Sequence, residues 1–245
     1  MESPDHFPTE HGFRMRGAAM SRIDAFSDVV FGFALTLLVV SLEVPKNFGE
    51  LHEAIRGFIP FAICFAILLT VWHSHYVFFR RYGLHDQLTI VINSFLLFVV
   101  LFYVYPLKFL FSTLVNQVNH QETSPHFTTA GQVTELMVLY GLGFAAVNFL
   151  LGLLYWNAWR NREKIELNGL ERLLTVSSIV DAVGLAAIGL IACLAAVITH
   201  LFHLDSWSGA TGYLYFLIAP WKTLIGTYFG RKARTLRKLV TAPTL

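Results

Sequence analysis

Charge is what this chain has least of. Only 14% of its 245 residues are Asp, Glu, Lys or Arg, against about 25% in an ordinary globular protein. Hydrophobic residues make up 55%, and the mean hydropathy is +0.57. Phe, Leu and Val are too abundant, and short repeats too absent, for a disordered or fibrous chain. The net charge of +2 gives no electrostatic basis for binding nucleic acid. There are two cysteines, Cys64 and Cys193, each inside a long apolar stretch; they read as small buried hydrophobes rather than as a disulfide. Catalytic signatures are missing too. The chain has no Gly-x-Ser-x-Gly elbow, phosphate loop or paired catalytic carboxylates, and Gly141-Leu-Gly143 falls within an apolar run where no nucleotide loop would sit.

The few charges are separated by long gaps. There are 23 uncharged residues between Arg56 and Arg80, 21 between Asp86 and Lys108, 24 between Glu135 and Arg160, and 23 between Asp181 and Asp205. About 20 apolar residues, rising ~1.5 Å each, cross the ~30 Å hydrocarbon layer. Two further segments carry charges near their ends: about 20–44, with Arg22, Asp24 and Asp28 in its first turns, and about 208–230, with Lys222. The expected fold is all-α: one polytopic domain over 1–245, with spans near 20–44, 56–80, 86–112, 134–160, 173–203 and 208–230.

Orientation follows from Lys and Arg, which accumulate on cytoplasmic connections. The N-terminal tail, the second and fourth connections and the C-terminal tail hold 14 of the 18 basic residues. Both termini are therefore expected in the cytoplasm. The first twenty residues lack the apolar core of a cleavable signal peptide, so the first helix is expected to act as the signal anchor. The polar loop from about 116 to 132 is expected outside. The basic segment from Arg231 reads as a topogenic tail that can also touch anionic membrane lipid.

The first helix opens Arg22-Ile-Asp-Ala-Phe-Ser-Asp28. Charges in a membrane helix are costly and tend to be paired or functional. The string Arg-x-x-x-Phe-Ser-Asp, followed by an apolar helix with Thr36, resembles the first-helix motif of the endosomal and lysosomal potassium channel family (transmembrane protein 175 family). Trp72-x-x-His75 near the end of the second span, and Asn93 and Pro106 in the third, extend the likeness over about residues 20–112. The second half resembles the family only in hydropathy. The resemblance implies a bacterial inner-membrane homotetramer of six-helix subunits whose first helices surround a potassium-conducting axis, with K+ as permeant ion and no cofactor. It also implies a structural polar network drawn from Arg22, Ser27, Asp28, Trp72, His75 and Asn93.

Helical geometry is an independent reading. At ~100° per residue, Val29, Phe33, Thr36, Leu37 and Val40 fall in one stripe, while Ser27 and Asp28 fall off it. The stripe can face an axis or lipid; the resemblance selects the axis. Phe33, where the family carries an aliphatic residue, would then be the constriction, a hydrophobic neck of the kind that gates by dewetting. His73 and His75 are two apart and point to opposite helix faces, so no metal site is expected. Asp181 is placed to pair with Lys222, beside small residues (Gly184, Ala186, Ala187 and Gly189) that favour close helix packing. The alternative function is a secondary transporter or proton-coupled carrier using Asp28, Asp181 and His75. Inverted repeats and matching broken helices, which many carriers show, are not detectable.

Overall fold

A computed structural model describes residues 7–10, 12–40, 46–118 and 130–241. After a two-residue antiparallel hairpin, β1 (Thr9–Glu10) and β2 (Phe13–Arg14), the chain is helical: α1 (Arg22–Val40), α2 (Phe48–Arg56), α3 (Phe58–Tyr82), α4 (Gln87–Val118), α5 (Ala130–Arg160) and α6 (Gly169–Leu201). A 3-10 segment, Asp205–Leu217, then leads into α7 (Ile218–Thr241). Among the described residues, α3, α4, α5 and α6 are long and apolar enough to cross a membrane. They account for the four charge-free gaps.

Helix boundaries follow local chemistry. Ser21 and Asp24 cap α1 reciprocally: the Ser21 amide donates to Asp24 Oδ2 at 3.0 Å, and the Asp24 amide donates to Ser21 Oγ at 3.3 Å. Gly83, with φ of +56°, closes α3 in the left-handed conformation that side chains resist. Asn168 and Glu171 form a capping box on α6. Asp86, just before α4, accepts from Thr89 Oγ1 at 2.5 Å and from Asn157 Nδ2 of α5 at 3.1 Å. Burial alone would raise the Asp86 carboxyl, but these hydrogen bonds outweigh it and hold it below its ordinary value.

The sixth span departs from expectation. It is not one α-helix over 208–230 but the 3-10 segment followed by α7. Gly209 and Gly212 weaken an α-helix there, and Pro220, which has no amide proton to give, falls in the first turn of α7 where none is needed. The connection before α3 contains the short helix α2, which its hydropathy did not announce. Residues 41–45 at the end of the first expected span lie outside the described residues, as do 119–129 of the expected outer loop.

The core joins α1, α3, α4 and α5 through Phe31, Leu38, Phe78, Leu96, Val100 and Leu154, all nearly or fully buried. At the α5–α6 crossing, a Cβ on Gly189 would lie 2.9 Å from the Gly141 carbonyl oxygen, and one on Gly141 would lie 2.9 Å from that of Gly189. The backbones touch there because neither residue has a side chain. Of the other small residues, Gly184 faces the Trp221 ring and Ala186 is buried, while Ala187 is exposed. Cys193 lies at the same crossing; it and Cys64 are free and buried.

Between α6 and α7, Lys222 Nζ meets Asp181 Oδ2 at 2.6 Å, the pairing expected from the sequence. Lys222→Met should lower thermal stability, because it leaves a carboxylate facing hydrocarbon at a cost of about 2–3 kcal/mol. Adding Asp181→Asn to that variant should recover most of the loss, read as melting temperature in detergent.

Candidate functional site: the first helix and its anchors

Helix α1 has two faces of opposite character. Ser27, Phe31, Ala34 and Leu38, at spacings of four, three and four, are buried at 2% exposure or less. Phe26, Val29, Phe33 and Thr36 form the other face and are exposed, with Phe33 at 64%. Among the described residues, no part of the chain covers this second face. Leu37, expected on the exposed stripe, is instead half-buried at its edge and packs on the core. The neighbouring Leu38 is fully buried, and the ~100° step between the two leaves Leu37 between the faces. The side chain of Val40 lies outside the described residues.

Thr36 donates its hydroxyl proton back along its own helix, to the Phe33 carbonyl at 2.7 Å and the Gly32 carbonyl at 3.1 Å. A hydroxyl has one proton and two lone pairs. With the proton committed, Thr36 Oγ1 presents acceptor character on the exposed face, where it suits a cation.

The buried face is fixed by a directed chain of hydrogen bonds through three helices. His75 Nε2 of α3 lies 2.8 Å from Asn93 Oδ1 of α4. Asn93 Nδ2 donates to Ser27 Oγ of α1 at 2.9 Å, and Ser27 Oγ donates to the Ile23 carbonyl at 2.7 Å. An amide oxygen only accepts, so His75 carries its proton on Nε2. His75, Asn93 and Ser27 are each at most 2% exposed. The His75 ring also packs on Phe31 and Phe79, at centroid distances of 5.5 and 4.6 Å. A separate bond ties Asp28 of α1 to α3: Trp72 Nε1 donates to Asp28 Oδ1 at 2.8 Å.

Arg22 corrects the expected network. It is exposed at the start of α1, outside both sets of bonds. It stands six positions before Asp28, and at ~100° per position the two lie well apart around the helix. Asp24, Asp28, His75 and Arg80 instead line a cavity of about 160 Å³ at the foot of α1, together with Gly17 and Met20. His73 is exposed and His75 buried, as opposite helix faces require. Among the described residues, no three His, Cys, Asp or Glu side chains come together as metal ligands.

Asn93→Ala should be costly, because it strands the His75 N–H in an apolar interior and takes away the donor to Ser27 Oγ, which keeps its own bond to the Ile23 carbonyl. At about 1–3 kcal/mol for the unsatisfied N–H, the melting temperature should drop clearly, and more than for Ser94→Ala, whose exposed hydroxyl bonds its own helix at 2.9 Å.

Sequence reasoning missed the anchor beneath α1. The Glu171 carboxylate, fully buried at the start of α6, accepts from Arg14 Nη2 at 3.0 Å and Arg16 Nη2 at 2.8 Å. It also accepts from the Arg14 and Asn168 amides at 2.9 Å each. Phe13 is fully buried, with the Arg16 and Arg81 guanidinium groups over its ring and Tyr82 edge-on to it. The Gly17 amide donates to the Arg80 carbonyl at 3.0 Å. The N-terminal segment is thus pinned to α3 and α6 five residues before α1 begins. The Asn168-x-x-Glu171 capping box was the one legible sign of it.

These features, an all-helical membrane bundle whose first helix keeps an apolar face free and is bonded from behind, describe a channel-type membrane protein. The chain matches the family model described as "Endosomal/lysosomal potassium channel TMEM175" over residues 22–103. It is 37% identical over 236 residues to a protein of Marivirga tractuosa named "Potassium channel", covering 91% of this chain and 93% of that one. A protein of Chamaesiphon minutus named as a potassium channel is 31% identical over 103 residues, 39% of this chain and 51% of the relative. The crystal structure of a variant of the potassium channel MtTMEM175, in complex with a nanobody fusion protein, superposes with a TM-score of 0.80 at 35% identity. It covers 91% of this chain and 99% of that one. A lysosomal potassium-selective channel TMEM175 homolog from Chamaesiphon minutus shares the fold, with a TM-score of 0.52 at 21% identity over 86% of this chain and 96% of its own. This chain belongs to the endosomal/lysosomal potassium channel TMEM175 family.

Proposed function

We infer that the whole chain forms one subunit of a potassium-permeable cation channel in the bacterial inner membrane, with both termini cytoplasmic and no cofactor. Four copies surround an axis lined by α1, and Phe33 forms the hydrophobic neck. The observation that carries this reading is the uncovered face of Phe26, Val29, Phe33 and Thr36, set opposite a face locked by Ser27 and Asn93. A lone subunit exposing that face across a membrane would use none of its anchoring. Placed about an axis, the anchoring holds the lining in register and Thr36 Oγ1 offers the neck its oxygen. The polar chain therefore holds the helix, not the ion.

The test is reconstitution of purified protein into planar bilayers with potassium on one side and sodium on the other. The reading predicts a current without any proton gradient and a reversal potential displaced toward potassium. A reversal at zero would remove selectivity, and saturating flux that requires a proton gradient would point to a carrier.

A further inference from the structure

The second half of the chain carries a basic surface that the pore does not use. From 206 to 245 there is no Asp or Glu, while six residues are Lys or Arg, five of them between Arg231 and Lys238. Helix α7 runs through this region to Thr241 without a break. Arg231, Lys232 and Arg234 are exposed, whereas Ala233 between them is 6% exposed. The helix thus rests on the protein along one side and turns its bases outward on the other. Near its end, Arg237 lies beside Gly12 of the N-terminal segment.

Aromatic–basic pairs locate this surface against the membrane. Lys232 Nζ sits 4.3 Å from the Tyr228 ring centroid and donates to Tyr228 Oη at 2.6 Å. At the ends of α3 and α5, which lie at the same end of the bundle, Arg80 caps Tyr76 and Arg162 covers Trp159, at 5.6 and 5.0 Å. Tyr and Trp with a neighbouring base mark the membrane–water boundary, where the ring stays in the apolar layer and the charge reaches out. Along α7, Arg231 and Arg234 then stand about 4 and 9 Å beyond Tyr228, within the headgroup layer that borders the hydrocarbon.

We propose that Arg231, Lys232 and Arg234 form a docking surface for anionic phospholipid headgroups of the cytoplasmic leaflet. Complementarity of charge identifies the occupant: a row of outward guanidinium and ammonium groups, with no acid anywhere in the last forty residues, set at phosphate depth. A topogenic role needs only the charges. It does not need a helix docked at Ala233 that turns them outward within the headgroup layer.

The test uses the purified full chain in neutral detergent–phosphatidylcholine micelles, titrated with phosphatidylglycerol and read as melting temperature. Phosphatidylglycerol should raise it, and extra phosphatidylcholine should not. The increase should vanish at about 1 M salt, where screening is effective beyond ~3 Å. Each base near an anionic surface contributes about fivefold in affinity, so the variant carrying R231Q, K232Q and R234Q should need on the order of a hundredfold more phosphatidylglycerol. If that variant does not fold, R231K with R234K, which keeps the charge, should retain the effect, and the salt dependence of the parent still decides. An equal response to both lipids, a salt-insensitive response, an undiminished response in the triple glutamine variant, or the same increase from soluble glycerol phosphate would each overturn the proposal. None of these outcomes depends on which helix lines the pore.

Discussion

Phe33→Ala is expected to raise single-channel current severalfold and to narrow the difference between potassium and sodium. Phe33 is the most exposed large side chain at the middle of the free face of α1. In the proposed tetramer, four such rings around the axis would leave little room for a hydrated ion, and ring edges do not replace lost water. Removing them would widen and wet that neck, relieving the dewetting barrier. Thr36→Val should act differently. It removes the one oxygen directed by its own backbone bonds to act as an acceptor, so selectivity should fall with a smaller change in current. The two variants recorded beside the parent separate size from chemistry. If Phe33→Ala conducts like the parent, the narrow point lies elsewhere.

Glu171→Ala is expected to be the most destabilising single substitution outside the apolar core. It leaves Arg14 and Arg16 without the carboxylate that both now grip, and removes the acceptor of the Asn168 amide that caps α6. Breaking a buried ion pair by deleting one partner costs about 3–5 kcal/mol. Glu171→Gln should cost less, since its oxygen can still accept. Melting temperatures of the two variants check the ranking; equal values would mean that the oxygen kept by Gln contributes nothing and that the lost charge accounts for the whole effect. Because this clamp ends just before α1, limited proteolysis should also release the N-terminal segment earlier in the alanine variant.

The parts legible in the sequence were those governed by distance along the chain. A charge-free gap is a property of consecutive residues, so α3 to α6 could be counted before any contact was known. The two faces of α1 follow from the step per residue, which put Ser27 and Asp28 off the exposed stripe. The hydrogen-bonded trio was within reach only because the family resemblance brought His75 and Asn93 to the first helix; geometry then decided that Arg22 is not a member. Leu37 was misplaced because a stripe drawn on an isolated helix has no neighbours, and α1 is covered by α3 and α4 past its midline. The clamp on Glu171 was out of reach for another reason. Its partners are separated by 157 and 155 residues, and charge in a polar tail looks the same whether it is solvated or buried. The 3-10 stretch before α7 was hidden by hydropathy that does not distinguish helix types.

Thiol modification of Phe33→Cys asks whether the free face of α1 lines the conduction path. Cys64 and Cys193 are buried, so the parent provides the unreactive background. With the variant conducting potassium in a bilayer, a bulky methanethiosulfonate reagent should abolish the current and leave the parent unaffected. A current that persists unchanged, while mass spectrometry shows position 33 fully modified, would contradict the account.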